Sequence, residues 1–484
     1  MQTSADTAPE ENMSAVMRAR LVSGRSNSEV LGDAIASALR DASKQLPEGT
    51  VPSFCFLFVS SSYCNVGEAG GVLVTEDTRV FQQGSEKYSR AMSLISRNFL
   101  QRGWNDVPIA GCSVGGSILG TTENVGKDSG VCVVLANLPD SEVSPFFVKP
   151  ESDWEKAGIS ASFQPSQGAS GDDAVLFMFG HPEESTFIRK IGALAGRTMD
   201  THEREFFFLP SLKDVKDISS LEQCCFSEGL AGIAFRGGIA ADAVVAQGSR
   251  PIGPNYEVLG TEMNGTIITR MREIGTTEEA EGAPMVLFEL AVFAGTIDQQ
   301  SFIESTRFLA LGTSLTPLED EADKHQYIVR PILNVEKDGP VFLADGVRVG
   351  QVVRFHIRDA ANAEQELQQL RMRWKLERNS RKVDKKLPAG ALLFADQARG
   401  PQLYGRENVE NAGFVQDFPD VPLGGGYFDG VIGQLPNFQD KNKAPLLLDA
   451  DKKPQSTGVL FDQARPPTSL LDLHPPCLTS TLLA

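Results

Sequence analysis

The sequence predicts a mixed α/β protein of two lobes, each with a mixed β-sheet flanked by helices. Two patterns predict it. Short continuous apolar runs read as strands buried on both faces, and stripes at helical spacing lie between them. A third observation is an internal echo. Pro108–Ile118 can be laid over Pro422–Ile432 without a gap, with Pro, two Gly and Ile coinciding. Two related lobes would give that echo, and so would a chance match between glycine-rich turns.

The elements follow in order. Residues 1–24 are polar and read as a disordered tail. Ser26 or Asn27 caps a first helix carrying Val30, Leu31, Ala34, Ile35, Ala38 and Leu39 on one stripe. Phe54–Val59 is a buried strand. Ser85 caps a second helix with Tyr88, Met92, Ile95 and Phe99 on one face, and Gly103 stops it. Gly111–Gly116 reads as a glycine-rich turn, and Val131–Leu135 as the next strand. Residues 151–172 read as a loop. Strands are expected at 174–179, 206–209 and 239–247, and a helix stripe at Phe187, Ile188, Ile191 and Leu194. Asn264-Gly265 between β-branched runs marks a hairpin, because a tight turn there needs positive φ at both positions. Helices are expected at 300–311 and, capped by Asp359, at 359–377. Strands are expected at 352–357 and 391–394, and an extended Pro-rich tail from about 462.

Composition excludes several classes. The chain has 484 residues, 41% hydrophobic and 22% charged, so most of it is expected to fold. A net charge of -18 argues against general nucleic-acid binding, which needs a basic face. No apolar run is long enough for a membrane span. Seven cysteines without regular spacing do not form a disulfide framework, which points to a reducing compartment, the cytoplasm by default or the nucleus. No metal-ligand cluster and no phosphate-binding glycine loop is present, so neither a metal nor another cofactor is expected. The basic stretch 371–386 is either an anionic-partner patch or nuclear address, or a solvated helix end; the helix end is favoured.

Two places carry candidate chemistry. Gly111-Cys112-Ser113-Val114-Gly115 fits the G-x-S-x-G pattern of a strained nucleophile elbow, but the helix it needs does not follow. The same glycines let backbone approach a ligand or another loop. Arg399-Gly400, followed by Gly405, comes just after a strand. A guanidinium there suits a carboxylate or phosphate, or else holds two loops together.

Taken together these pieces resemble the FIST family, which has an N-terminal and a C-terminal FIST domain. The resemblance rests on Phe54–Ser60, Gly111–Gly116, Gly248–Gly253, Val347–Ala360, Leu392–Phe394, Arg399-Gly400, Leu403–Gly405, Pro422–Gly430 and Ser456–Phe461. It implies an N-terminal FIST domain at 25–255, a C-terminal one at 256–462 and a Pro-rich tail at 463–484. It implies a sensory, signal-transduction module binding a small ligand such as an amino acid or small carboxylate. Gly111, Cys112, Ser113, Gly115, Asp396, Arg399, Gly400, Gly405, Gly425 and Gly430 are the expected ligand-binding residues, with no catalytic residue among them. Some relatives are F-box proteins, so an adaptor to a signalling or ubiquitin-pathway protein is the alternative; a hydrolase using Ser113 or Cys112 is the second. The segment before the first core strand is too short for an F-box. Relatives commonly carry cysteine where this chain has Asp396, and a Gly-Glu pair where it has Gly430-Val431. Asp396 is expected to be exposed or paired, since an unpaired buried carboxylate is costly.

Overall fold

A computed structural model describes residues 20–64, 84–125, 130–139, 141–148, 175–180, 194–196, 206–215, 221, 224–226, 229–237, 239, 241–277, 279–281, 309–314, 327–335, 340–343, 346–380, 388–428, 431–434, 458–461 and 480–483. The chain starts with β1 (Arg20–Ser26), α1 (Leu31–Ser43), β2 (Phe54–Ser60) and α2 (Gly84–Arg102). Then come β3 (Ile109–Val114), β4 (Gly116–Leu119), β5 (Thr122–Val125), β6 (Val131–Asn137), β7 (Ser141–Val148), β8 (Val175–Gly180) and β9 (Leu194–Gly196). Next are β10 (Phe206–Leu209), β11 (Cys225–Phe226), β12 (Leu230–Gly237), β13 (Ala243–Ala246), β14 (Ser249–Glu262), β15 (Ile267–Glu273) and β16 (Glu279–Glu281). The remainder is β17 (Leu309–Ser314), β18 (Tyr327–Val335), β19 (Val341–Leu343), β20 (Val352–Arg358), α3 (Ala360–Ser380), β21 (Ala391–Asp396), α4 (Pro401–Tyr404), α5 (Val409–Asp417), β22 (Leu423–Phe428), β23 (Val431–Gln434), β24 (Gly458–Phe461) and β25 (Ser480–Leu483).

The described strands form four sheets, and the fold is mixed α/β. The first sheet runs β1-β6-β2-β3-β10-β11 and the second β13-β25-β21-β22-β4-β5. The third runs β24-β23-β9-β8-β12-β7 and the fourth β14-β20-β17-β18-β19-β15-β16. Strands from both halves of the chain share the second and third sheets.

Strand β2 explains why its sequence is apolar at every position. Cys55, Leu57 and Val59 pack with Ile35, Leu39, Ile95 and Phe99 of α1 and α2. Phe56 and Phe58 face the other way, where Phe58 meets Phe179, Phe394 and Phe428 from two further sheets. Each such edge-on ring pair adds about 0.5–1.5 kcal/mol beyond area burial.

The internal echo is a structural duplication. Strands β2 and β3 pair in parallel with Leu57 opposite Gly111, and β21 and β22 do so with Leu393 opposite Gly425. Cys55 N donates to Pro108 O at 2.9 Å, and Ala391 N to Pro422 O at 2.8 Å. The parallel pair β2–β3 thus recurs as β21–β22, although β1 stays in the sheet of its pair and β20 joins a different one.

Several expectations shift. Residues 20–24, read as tail, belong to β1, paired along its length with β6. The first helix starts at Leu31, because Ser26 and Ser28 accept bonds from Ser28 N and Val30 N in turns before it. The second starts at Gly84, so Ser85 is inside it; Gly103, at φ 72, ends it as expected. Leu309–Leu311 is strand, held between β18 and β20. Leu194 is likewise in strand β9, paired with β8; 181–193 and 300–308 lie outside the described residues. The 263–266 hairpin is a four-residue loop, with Asn264 at φ 57 and Gly265 at φ 90. Asp359 caps α3 as expected, its Oδ1 accepting from Asn362 N at 2.8 Å. Residues 480–483 of the tail form β25; the loop at 151–172 and residues 462–479 lie outside the described residues. Within the basic stretch, Arg371 and Lys375 both reach Asp417 at 2.7 Å, and 381–386 lie outside the described residues.

Candidate functional site

The glycines of β22 and β4 bring the two halves together in the second sheet. Gly424, Gly425 and Gly426 lie opposite Leu119, Ile118 and Ser117. Gly115, between β3 and β4, donates to Tyr427 O at 2.9 Å, so the chain bends there from the first sheet into the second. A Cβ on Gly115 would sit 2.0 Å from Gln397 Oε1. Gln397 opens the short turn that follows β21 and sets up Arg399.

Around this seam lies a buried polar network. Arg399 is fully buried; its Nε donates to Glu410 Oε1 at 2.7 Å, Nη2 to Tyr404 at 2.9 Å and Nη1 to Ala246 O at 3.5 Å. Tyr404 also donates to Glu410. Glu123, from β5, accepts from Tyr427 at 2.8 Å and from Asn411 N at 2.7 Å. Asn411 Nδ2 donates to Gly120 O at 2.7 Å. Glu366 of α3 accepts from Gln247 N and Gly248 N and faces Arg399 and Glu410 electrostatically.

Burial works against the Arg399 charge, but Glu410, Tyr404 and Glu366 outweigh it and hold the guanidinium charged. Burial raises the Glu123 carboxyl above its ordinary value, while bonds from Tyr427 and Asn411 pull it down. Burial likewise raises Glu366, with Arg399 opposing. A raised carboxyl stabilises the fold while it keeps its proton. That contribution is complete below the unfolded value, about 4.3, and is lost as pH rises through the folded one. Glu123→Gln keeps an uncharged group at all pH values. Its melting temperature is therefore expected to improve relative to wild type as pH is raised from about 4 to about 7. A difference that does not move with pH removes this reading of Glu123.

Family models cover this architecture. A FIST N domain matches residues 80–272 and a FIST C domain residues 288–433. The chain belongs to the FIST family. FIST domains are recognised as sensory and signal-transduction domains. An uncharacterized protein of Mycobacterium tuberculosis is 29% identical to this FIST protein over 210 residues, 43% of this chain and 50% of its own. An uncharacterized protein of Mycobacterium bovis is 27% identical over 210 residues, with the same shares. The chain spans about half the length of these curated relatives.

The FIST motifs occupy different places than their composition suggests. Gly111–Val114 is strand rather than turn, and Pro422–Phe428 leads into and fills strand β22. A glycine run inside a strand signals close backbone approach. Gly111 and Gly425 lie within strands against the Leu57 and Leu393 backbones. Gly115, Gly400 and Arg399 do meet at the seam, with a Gly400 Cβ position 3.3 Å from the Tyr427 ring. Asp396 is fully buried and is not without a partner, which meets the second half of the expectation that it is exposed or paired. Gly405, exposed at φ 66, ends α4. Gly430 lies outside the described residues.

Cys112 is buried, and burial pushes its thiol well above the ordinary value, which opposes nucleophilic use. Ser113 is buried within β3, and a strand, β4, follows where an elbow needs a helix. Among the described residues, the histidine is His356, in the fourth sheet. No described group of His, Cys, Asp and Glu is arranged to hold a metal. No described helix is long and apolar enough to cross a membrane. Glu123, Glu366, Gln397, Tyr404, Glu410, Asn411 and Tyr427 were not foreseen as site residues. Of these, Tyr404 and Tyr427 stood inside quoted motifs, Tyr404 in the one that follows Arg399.

Proposed function

We propose that this FIST protein is a small-ligand sensor whose ligand is received at the seam around Gln397, Glu410 and Asn411. One observation carries the reading. Gln397 Oε1, Glu410 Oε2 and Asn411 Oδ1 are buried acceptors without a partner among the described residues. Buried acceptors call for donors. The seam also holds the carboxyls of Glu123, Glu366 and Glu410 around Arg399, whose charge is engaged by Glu410. An ammonium group satisfies both conditions, so an amino acid suits the seam better than a simple carboxylate does. Both FIST segments contribute, Glu123 from one and Glu410 from the other. Ligand binding there would tighten one half against the other, which is what a sensor needs.

A thermal-shift screen of amino acids, simple amines and small carboxylates tests this. At least one amino acid is expected to raise the melting temperature. The shift is expected to shrink in Gln397→Ala, which removes one of the three acceptors at a part-buried position. No stabilising ligand, or an equal shift in the variant, overturns the seam as the site.

A further inference from the structure

The fourth sheet carries a second polar surface, separate from the seam. Alternate residues of β20 point to opposite faces. Val353, Phe355 and Ile357 enter the apolar core of that sheet. Arg354, His356 and Arg358 share the other face. Their cross-strand neighbours lie on the same face: Ser249 opposite Arg358, Asn255 opposite Arg354, and Gly312 opposite Arg354. Tyr327 joins from β18 and donates to Asn255 Oδ1 at 2.6 Å.

His356 is the floor of this surface. It is 5% exposed, and its Nδ1 lies 3.2 Å from Ser249 Oγ. Its Nε2 is buried and has no hydrogen-bond partner among the described residues. Only glycine at 312 allows the ring to lie there, because a Cβ would stand 2.4 Å from Nε2. Arg354 donates from Nε to Gly253 O at 2.9 Å and hydrogen bonds Tyr327. Among the described residues no carboxylate pairs with Arg354 or His356. The groups facing the imidazole are Arg354 and Arg358 on its own strand and Tyr327 from β18. Strand β14 brings Ser249 and Asn255, and β17 brings Gly312, all without charge. Glu366 of the neighbouring helix is committed to Gln247 N and Gly248 N. Burial first, then Arg354 and Arg358, holds His356 neutral, near pKa 3. A partly open rim formed by Arg354, Tyr327 and Ser249 thus surrounds a floor with an unmet imidazole nitrogen.

We propose that this face binds a small oxyanion, a carboxylate or a phosphate ester, held by Arg354 and by His356 Nε2 with Ser249 fixing the ring. A negative oxygen supplies the acceptors that a guanidinium and an Nε2–H require. Ser249 at Nδ1 sets the ring's orientation, as a second partner of a histidine does. The site stands whether or not the seam takes a ligand.

Calorimetric titration of the full chain with inorganic phosphate, and separately with acetate, is the test. Saturable binding of either is expected at pH 6.5, weakened about tenfold or more in Arg354→Gln. Saturation by phosphate alone assigns a phosphate ester, and by acetate a carboxylate. No saturable binding of either anion, or equal binding in the variant, overturns the site. Arg354 also bonds the Gly253 backbone, so a measurement without substitution stands beside it. The His356 ring resonance, assigned by its loss in His356→Gln, is followed against pH with and without the anion. Bound anion is expected to increase the proton affinity of His356 about tenfold or more. An unmoved titration overturns the proposal even if the variant fails to fold.

Discussion

Gly111→Ala is expected to destabilise the fold by about 3 kcal/mol, the upper part of the range for overpacking a core. The added Cβ would lie 1.9 Å from Leu57 O and 2.8 Å from its carbonyl carbon. Those atoms belong to a strand paired on both sides, with β3 and β6, and have nowhere to go. Gly425→Ala should cost a similar amount, because the same Cβ would lie 2.0 Å from Leu393 O. Gly405→Ala is the control. It is exposed with nothing near its Cβ position, and its φ of 66 costs about 1 kcal/mol for a residue with a side chain. Urea unfolding of the three variants measures this. If Gly111→Ala and Gly405→Ala unfold at the same midpoint, the close strand approach is wrong.

Arg399→Met should be the more damaging change, by about 3–5 kcal/mol, since it strips the cation from a fully buried pair. Glu410 would keep its bond from Tyr404 but face Glu123 and Glu366 without neutralisation. Glu410→Gln in the same chain relieves part of that charge. The double variant is therefore expected to be less destabilised than the sum of the single variants, by about 1–3 kcal/mol. Strict additivity in denaturant unfolding would show that the two side chains do not act on one another.

Strand and helix types were readable where the pattern was long, one-sided in α1 and continuous in β2. The two matching glycine segments were also visible as a repeat. Their conformation was not, because glycine favours turns and close strand contacts alike. Leu309–Leu311 shows a second limit: three apolar residues fit either period until β18 and β20 claim them. Arg399 shows a third. Its residue type announced a charge-assisted contact, but the Glu410 partner is eleven residues on, and Ala246 is 153 positions away in the chain. Nothing local distinguishes a guanidinium open to a ligand from one closed by its own protein. The Ser249–His356 contact, 107 residues apart, was hidden for the same reason.

The crossing of β4 into the second sheet has a cost during synthesis. Its hairpin partner β5 is adjacent, but its other neighbour, β22, is encoded about three hundred residues later; Glu123 and Tyr427 are separated by 304 positions. At roughly 5–20 residues per second, translation leaves that strand edge waiting for about 15–60 s. An apolar edge without its mate is a template for pairing with other chains. The nascent N-terminal half thus leaves that edge unpaired until the C-terminal half arrives to cover it.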